Sequence, residues 1–237
     1  MFKSKYKSTD FPHRFQEESL ALVNGLLPLT SSAFYLVDPN MHHKGIVLHG
    51  IEQEMDQAYR LHYKDLDPAH PARYQKRKEN LVCLENIMST STLHNTVYYQ
   101  EFLKPRNIEH VTDLFFRQED RIIAVLTMLR DASLPAFSPE ELQTLTVTQR
   151  FLEYAINTVY LPERASQRAT ITDRFELTDR ELDVLEWVIA GAENKVIARE
   201  LEVGLATVKT HLNHIYAKVG VSSRTQLLSR VFAEIGH

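Results

Sequence analysis

Three short amphipathic helices fit between fixed landmarks near the C-terminus, and their spacing constrains the fold more tightly than any other feature of the chain. The landmarks are Leu177-Thr178-Asp179-Arg180-Glu181, Gly191, Asn194-Lys195 and Thr207-Val208-Lys209-Thr210-His211. Thr178 with Glu181 three residues later is a capping box, and losing such a cap costs about 1 kcal/mol. The first helix buries Val184, Leu185 and Val188, and Gly191 supplies the left-handed residue that ends it. A second helix from about Asn194 to Leu201 turns Ile197, Ala198 and Leu201 inward, and Glu202-Val203-Gly204 leads into a third. Val208, Leu212, Ile215 and Val219 form the buried stripe of that third helix, which leaves Ala206, Lys209, Thr210, Asn213 and Ala217 on the opposite arc. A last helix, about Ser223 to Ile235, gathers Leu227, Leu228, Val231 and Phe232 on one side.

Two helices joined by a tight turn, the second presenting Lys, Thr and Asn between alanines, make a helix-turn-helix. Lysine can donate to guanine edges or phosphate, asparagine can pair with adenine, and small residues let the backbone approach the groove. In an isolated helix such a face is more often merely solvated; the surrounding motif argues for DNA. The formal charge of −4 argues against binding driven by a basic tail, so contact with nucleic acid must come from a local patch. Such a patch exists: Lys195, Arg199, Lys209, Lys218, Arg224 and Arg230 face only Glu200 and Glu202, while the preceding helix is acidic through Asp179, Glu181, Asp183 and Glu186.

Leu177 to Arg224 resembles the LuxR-type helix-turn-helix, whose pattern runs L-T-x-R-E, V-L, G, N-K-x-I-A, L, T-V-K-x-H, K and S-R. The resemblance implies a four-helix domain whose third helix reads the major groove and whose fourth contributes to dimer pairing. It makes Lys209, Thr210 and Asn213 the base-facing candidates, and Lys195, Thr207, Lys218 and Arg224 the phosphate candidates, with capping of a neighbouring helix the other role for Arg224. His211, at the edge of the buried stripe, is expected to pack. Gly204 departs from the pattern, which usually has serine or threonine there; glycine at an N-cap costs only a few tenths of a kcal/mol.

The upstream part mixes helix and strand patterns. A helix is expected from about Arg14 to Leu27, strands at Ala33–Val37 and Gly45–His49, and a helical run through Met55, Tyr59, His62 and Leu66 that Asp67-Pro68 stops. A helix near Asn95 to Lys104 ends at Pro105, and strands at His110–Arg117 and Arg121–Arg130 flank a polar turn as a hairpin. This order fits an α+β domain around an antiparallel sheet. Ser138-Pro139-Glu140-Glu141 then caps a helix with two stripes, one through Leu142, Leu145, Gln149, Leu152, Ile156 and Val159, the other through Val147, Phe151, Tyr154 and Thr158. One stripe can cover the sheet and the other a partner chain. The polar stretch from Pro162 reads as a linker, giving an α+β sensor and dimerisation domain at 1–161, a linker at 162–173 and the DNA-binding domain at 174–237.

What the first domain senses is less sharply drawn. A phosphoacceptor receiver is disfavoured because Pro39 follows Asp38 where a second acid belongs. An acyl-homoserine-lactone sensor is an alternative: Tyr63 and Asp67-Pro68 resemble its pocket motif, but the tryptophan that motif uses is missing, since the sole tryptophan is Trp187. Tyr98-Tyr99-Gln100-Glu101-Phe102-Leu103-Lys104-Pro105-Arg106-Asn107-Ile108 resembles the Y-x-x-F-L-x-P-x-G-I segment of regulators with a GAF- or PAS-like sensor, with Asn107 in place of glycine. Tyr59, Tyr63, Tyr74, Tyr98 and Phe102 are the candidates for an apolar ligand pocket, although such aromatics are more often simple core. His62 reads as a hydrogen-bonded core histidine, and the adjacent His42-His43 pair makes a poor metal site.

The expectation is therefore a dimeric transcriptional regulator that binds double-stranded DNA and answers to a small-molecule effector, or, in a third reading, to a protein partner without a ligand. Contact with RNA polymerase is expected of such a regulator. No nucleophile–base–orienter spacing and no glycine-rich phosphate loop points to an enzyme, and no cofactor or metal is expected. The single cysteine and the lack of a long apolar run place the protein in the cytoplasm, away from membranes.

Overall fold

The structure, a computed structural model, describes residues 14–37, 41 and 43–235, with backbone alone for 43–45. Asp38, Pro39 and His42, weighed above for a receiver and a metal pair, lie outside the described residues. The chain divides into two compact units, one of Gln16–Ala155 and one whose described residues are 156–235 with Arg14 and Phe15.

The larger unit is built on the β-hairpin expected from the two strands that flank a polar turn. β4 (Ile108–Gln118) and β5 (Arg121–Asp131) pair antiparallel, with Phe115 opposite Val125 and Asp113 opposite Thr127. β1 (Ser31–Val37) lies along the other side of β5, and β2 (His43–His49) forms the edge beyond it. β3 (Leu81–Cys83) pairs with β4 at the opposite edge, so the five-stranded sheet has the order β2-β1-β5-β4-β3. Three residues are too few to show an alternating pattern, which is why β3 is missing from the expectation. Its last residue, Cys83, is buried, accepts a hydrogen bond from Thr112 Oγ1 at 3.4 Å, and has its thiol pKa pushed up by that burial.

Both faces of the sheet are covered. On one, Phe34 stacks on Phe116 at 5.4 Å. On that side α1 (Arg14–Leu26) ties to β1 through Asn24 Nδ2 to Ser32 Oγ at 2.8 Å, and α5 (Pro139–Ala155) ties to β4 through Gln149 Nε2 to the Phe115 carbonyl at 2.8 Å. The Leu145, Gln149 and Leu152 stripe of α5 is buried, and Val147 and Phe151 of the second stripe are exposed. On the other face, Tyr35, Val111, Phe115, Val125 and Leu129 join a core with Tyr98, Phe102 and Leu103.

The segments over that second face depart from plain helix. α2 (Gln53–Ala58) widens into a π-helical turn at Tyr59–Tyr63 and tightens at Lys64–Leu66, which carries His62 to the exposed side, against the expectation of a core histidine. The expected helix at Asn95–Lys104 is likewise broken. α3 (Leu84–Ile87) and α4 (Thr90–His94) precede a π-helical turn at Tyr98–Leu103, and a short 3₁₀ turn follows. Asn107 closes this segment at φ 56°, in the left-handed region, where asparagine is the usual substitute for the glycine of the resembled pattern.

Arg130 locks the N-terminus of α5 to the sheet. Its side chain is fully buried, and its Nε donates to the Pro28 carbonyl at 2.9 Å, while Nη1 donates to the Pro135 carbonyl at 3.0 Å. Nη2 and Nη1 reach Glu141 at 2.6 and 3.1 Å, and the guanidinium lies 3.9 Å from the Phe137 ring centroid. Glu141 also accepts from the Ser138 N–H at 2.8 Å as part of the α5 capping box. Removing one partner of such a pair strands the other, so Arg130→Met should lower stability by about 3 kcal/mol in equilibrium denaturation. A loss near zero would show that the clamp is not needed.

The smaller unit contains five helices among the described residues: α6 (Leu161–Phe175), α7 (Asp179–Ile189), α8 (Asn194–Glu200), α9 (Leu205–Val219) and α10 (Arg224–Ile235). The expected linker at 162–173 is corrected: it lies within α6. Ile171 and Phe175 are its buried apolar residues, and α6 packs on α10. Its half-buried positions include Arg164 and Arg168, which a hydrophobic pattern does not register.

Candidate DNA-reading head and a buried cavity

The seating of α9 follows from its own stripe. Val208, Leu212, Ile215 and Val219 are buried, and Gly220 at φ 74° ends the helix. α7 carries the full capping box, with the Thr178 N–H donating to Glu181 Oε2 at 2.8 Å and the Glu181 N–H to Thr178 Oγ1 at 3.3 Å. It ends in a Schellman turn: the Ala192 N–H reaches the Trp187 carbonyl at 3.0 Å and Gly191, at φ 81°, reaches that of Val188 at 3.1 Å. With α7 and α8 packed on one side of α9, Lys209, Thr210 and Asn213 are exposed on the other, as are Thr207 and, at the start of α8, Lys195. The Thr210 hydroxyl donates back to the Ala206 carbonyl at 3.1 Å. Gly204 is the N-cap and offers no side-chain cap, as its departure from the family pattern implied.

Two of the candidate phosphate contacts have internal work instead. Lys218 Nζ donates to Glu181 Oε2 at 2.7 Å and to the Glu176 carbonyl at 2.8 Å, which straps α9 to the start of α7. Arg224 Nη2 donates to the Ala192 and Val188 carbonyls at 2.7 and 3.2 Å, capping the end of α7. The acidity of α7 is also consumed inside the unit: Arg164 pairs with Glu186 at 2.5 and 3.0 Å, and Arg168 with Asp183 at 3.2 Å and Glu186 at 3.1 Å. Arg199 pairs with Glu200 at 2.6 Å. Lys195 and Lys209 have no ion pair among the described residues, so they remain as cations of the outer face.

The larger unit contains a cavity of about 70 Å³ between the sheet and the two π-helical turns. Of the expected pocket residues, Tyr59, Tyr98 and Phe102 line it. Tyr63 and Tyr74 do not: Tyr63 packs behind Phe102 at 5.0 Å, and Tyr74 packs on Phe115 at 5.3 Å. The wall also holds Tyr35 and three carboxyl groups, Asp56, Asp67 and Asp113. Asp56 pairs with Arg60 at 2.7 Å. Asp67 accepts from the Tyr59 hydroxyl and the Ala69 N–H, each at 2.8 Å, and Asp113 accepts from Thr127 Oγ1 at 2.6 Å. Burial pushes Asp67 up to about 6, with its hydrogen bonds and Arg73 pulling the other way; burial, then the nearby Asp67 charge, pushes Asp113 up to about 8. Asp113 was missed in the sequence although a signal was present. Val111, Asp113 and Phe115 share one face of a strand, so an acid stands where the pattern calls for an apolar residue.

Residues 176–231 match the family profile of bacterial regulatory proteins of the luxR family. The monoamine regulon transcriptional regulator of Klebsiella aerogenes is 34% identical over 213 residues, covering 90% of this chain and 88% of its own length. The chain belongs to the LuxR family of bacterial regulatory proteins. It is a DNA-binding transcriptional regulator. The nitrate/nitrite response regulator protein NarL of Escherichia coli is 40% identical over 63 residues, 27% of this chain and 29% of that one. Among solved structures, Escherichia coli SdiA aligns over 97% of this chain and 92% of its own at 14% identity, with a TM-score of 0.42.

In this LuxR-family head, Glu181 connects the cap, α7 and α9. Burial alone would raise its pKa, but hydrogen bonds from Lys218 and Thr178 outweigh that and hold it below the usual glutamate value. A depressed folded-state pKa stabilises fully above the unfolded value and is lost as pH falls through the folded one. Trp187, the sole tryptophan, reports on this unit. Its fluorescence during unfolding should therefore show stability falling with acid below about pH 4.5, and Glu181→Gln should flatten that limb. Lys218→Ala should cost about 1 kcal/mol at neutral pH. An unchanged acid limb in Glu181→Gln would remove the strap from the account.

Proposed function

We propose that this regulator acts in the cytoplasm as a homodimer that reads a two-fold symmetric DNA site. α9 enters the major groove, with Lys209, Thr210 and Asn213 facing the bases and Lys195 and Thr207 touching phosphate. The observation that carries this reading is the outward placement of the Lys/Thr/Asn arc on a helix whose opposite stripe is fully packed. Half-sites read by such a pair lie roughly 34 Å apart. A small molecule held in the cavity of the larger unit sets DNA affinity, and the DNA-bound dimer contacts RNA polymerase. The Klebsiella aerogenes relative is named for a monoamine regulon, which supports gene control tied to a small molecule. No helix among the described residues is long and apolar enough to cross a membrane.

Dimer pairing is assigned to the second stripe of α5. Val147, Phe151 and Tyr154 are 58%, 63% and 65% exposed in succession along that stripe, and a continuous apolar patch of this kind marks an interaction surface. Phe151→Glu with Val147→Glu should convert dimer to monomer in size-exclusion chromatography with light scattering; an unchanged mass would move the interface elsewhere. For the head, Lys209→Ala and Asn213→Ala should each weaken binding to a site selected from random DNA by about tenfold, consistent with about 1–3 kcal/mol per base contact. Affinity should also fall steeply with added salt. Unchanged binding by the double variant would refute the reading face.

A further inference from the structure

The cavity that the proposed function treats as an effector site has a charge pattern that narrows its ligand. Asp113 and Asp67 are 4% and 6% exposed and both line the cavity, where the Asp67 charge reaches Asp113. Among the described residues Asp113 has one hydrogen-bond donor, Thr127, and no ion pair, so one of its oxygens has no protein partner. The Tyr98 hydroxyl, on a side chain 4% exposed in the same wall, likewise has no partner among the described residues. The neighbouring cations are committed elsewhere: Arg60 to Asp56, and Arg73 to the carbonyls of Asp67 and Asp65 at 3.1 and 3.0 Å. The rest of the wall is aromatic and aliphatic, including Tyr35, Phe102 and Leu48.

Two buried carboxyl groups on one cavity wall, with aromatic rings around them and no basic side chain among the lining residues, favour a positive charge in the cavity. The geometry points to a small primary amine, bound as its ammonium ion, whose N–H groups are accepted by Asp113 and Tyr98 while Asp67 supplies the second negative charge and the carbon skeleton packs against Phe102 and Leu48. Aromatic faces add attraction for the same cation. Burial raises the pKa values of Asp67 and Asp113, the Asp67 charge adds to that of Asp113, and an ammonium ion beside them would lower both. An anionic ligand would meet like charge, and a neutral one would leave the free Asp113 oxygen without a charged partner. By volume, about 70 Å³ corresponds to about five to seven water positions, so the skeleton is small.

This inference rests on the cavity being an effector site, and the test separates the two. The full-length protein is titrated calorimetrically with n-butylamine, 2-phenylethylamine and tyramine, each beside the alcohol of the same skeleton. At least one amine should bind, with its alcohol weaker by about tenfold or more. Asp113→Asn should lose that amine by a similar factor while its melting temperature holds or rises, because the amide keeps the Thr127 hydrogen bond without the buried acid. Leu48→Trp, which fills the cavity, should abolish binding. An alcohol that binds as well as its amine, or an Asp113→Asn variant that keeps the amine, overturns the ammonium assignment and leaves the effector site standing. Amine binding that survives Leu48→Trp places the amine outside the cavity and overturns it too. If no amine or alcohol binds and native mass spectrometry finds the purified protein empty, both readings fall.

Discussion

Burying both faces of the five-stranded sheet removes water from its central strands, so every polar group there needs a partner inside the protein. Arg130 and Asp113 show the two outcomes. Arg130, on the face beneath α5, is saturated by Pro28, Pro135 and Glu141 and becomes the pin that orders the start of that helix. Asp113, on the opposite face, has Thr127 alone and borders empty space. One buried charge completes a scaffold; the other lines the cavity. The two π-helical turns matter here because they widen the backbone at Tyr59–Tyr63 and Tyr98–Leu103, segments that supply Tyr59, Tyr98 and Phe102 to the cavity wall.

In the head, charge serves architecture before it serves DNA. Several basic residues are spent on fixing helices to one another: Arg164 and Arg168 hold α6 to α7, Lys218 holds α9, and Arg224 closes the end of α7. What is left on the outer arc is a short cationic and polar surface, small enough that its effect depends on orientation more than on total charge. That accords with an acidic protein that binds DNA.

The head was legible because its signals are local. A capping box, a glycine at the left-handed position and a four-residue apolar stripe act within a few residues of the chain, and the folded head uses each of them where it stands. The β4–β5 hairpin and the α5 stripe were readable for the same reason. The misses involve partners far apart in sequence. α6 reads as a linker because its arginines gain their meaning only from acids about twenty residues later. Lys218 reads as a phosphate contact because the carboxylate it binds comes from another helix, whereas Arg224 takes the capping role that was one of its two readings. The break of helix into π turns, which turned His62 outward, leaves no mark that side-chain periodicity can show.

Cys83 deserves a practical reading. Its sulfur is enclosed at the edge strand, bonded to Thr112, and its ionisation is suppressed, while nucleophilic attack on a labelling reagent requires the thiolate. The chain is therefore a nearly silent background for thiol chemistry. A cysteine placed on an outward position such as Asn213 or Phe151 would carry a fluorophore or spin probe at that spot alone, without first stripping a native thiol from the sheet.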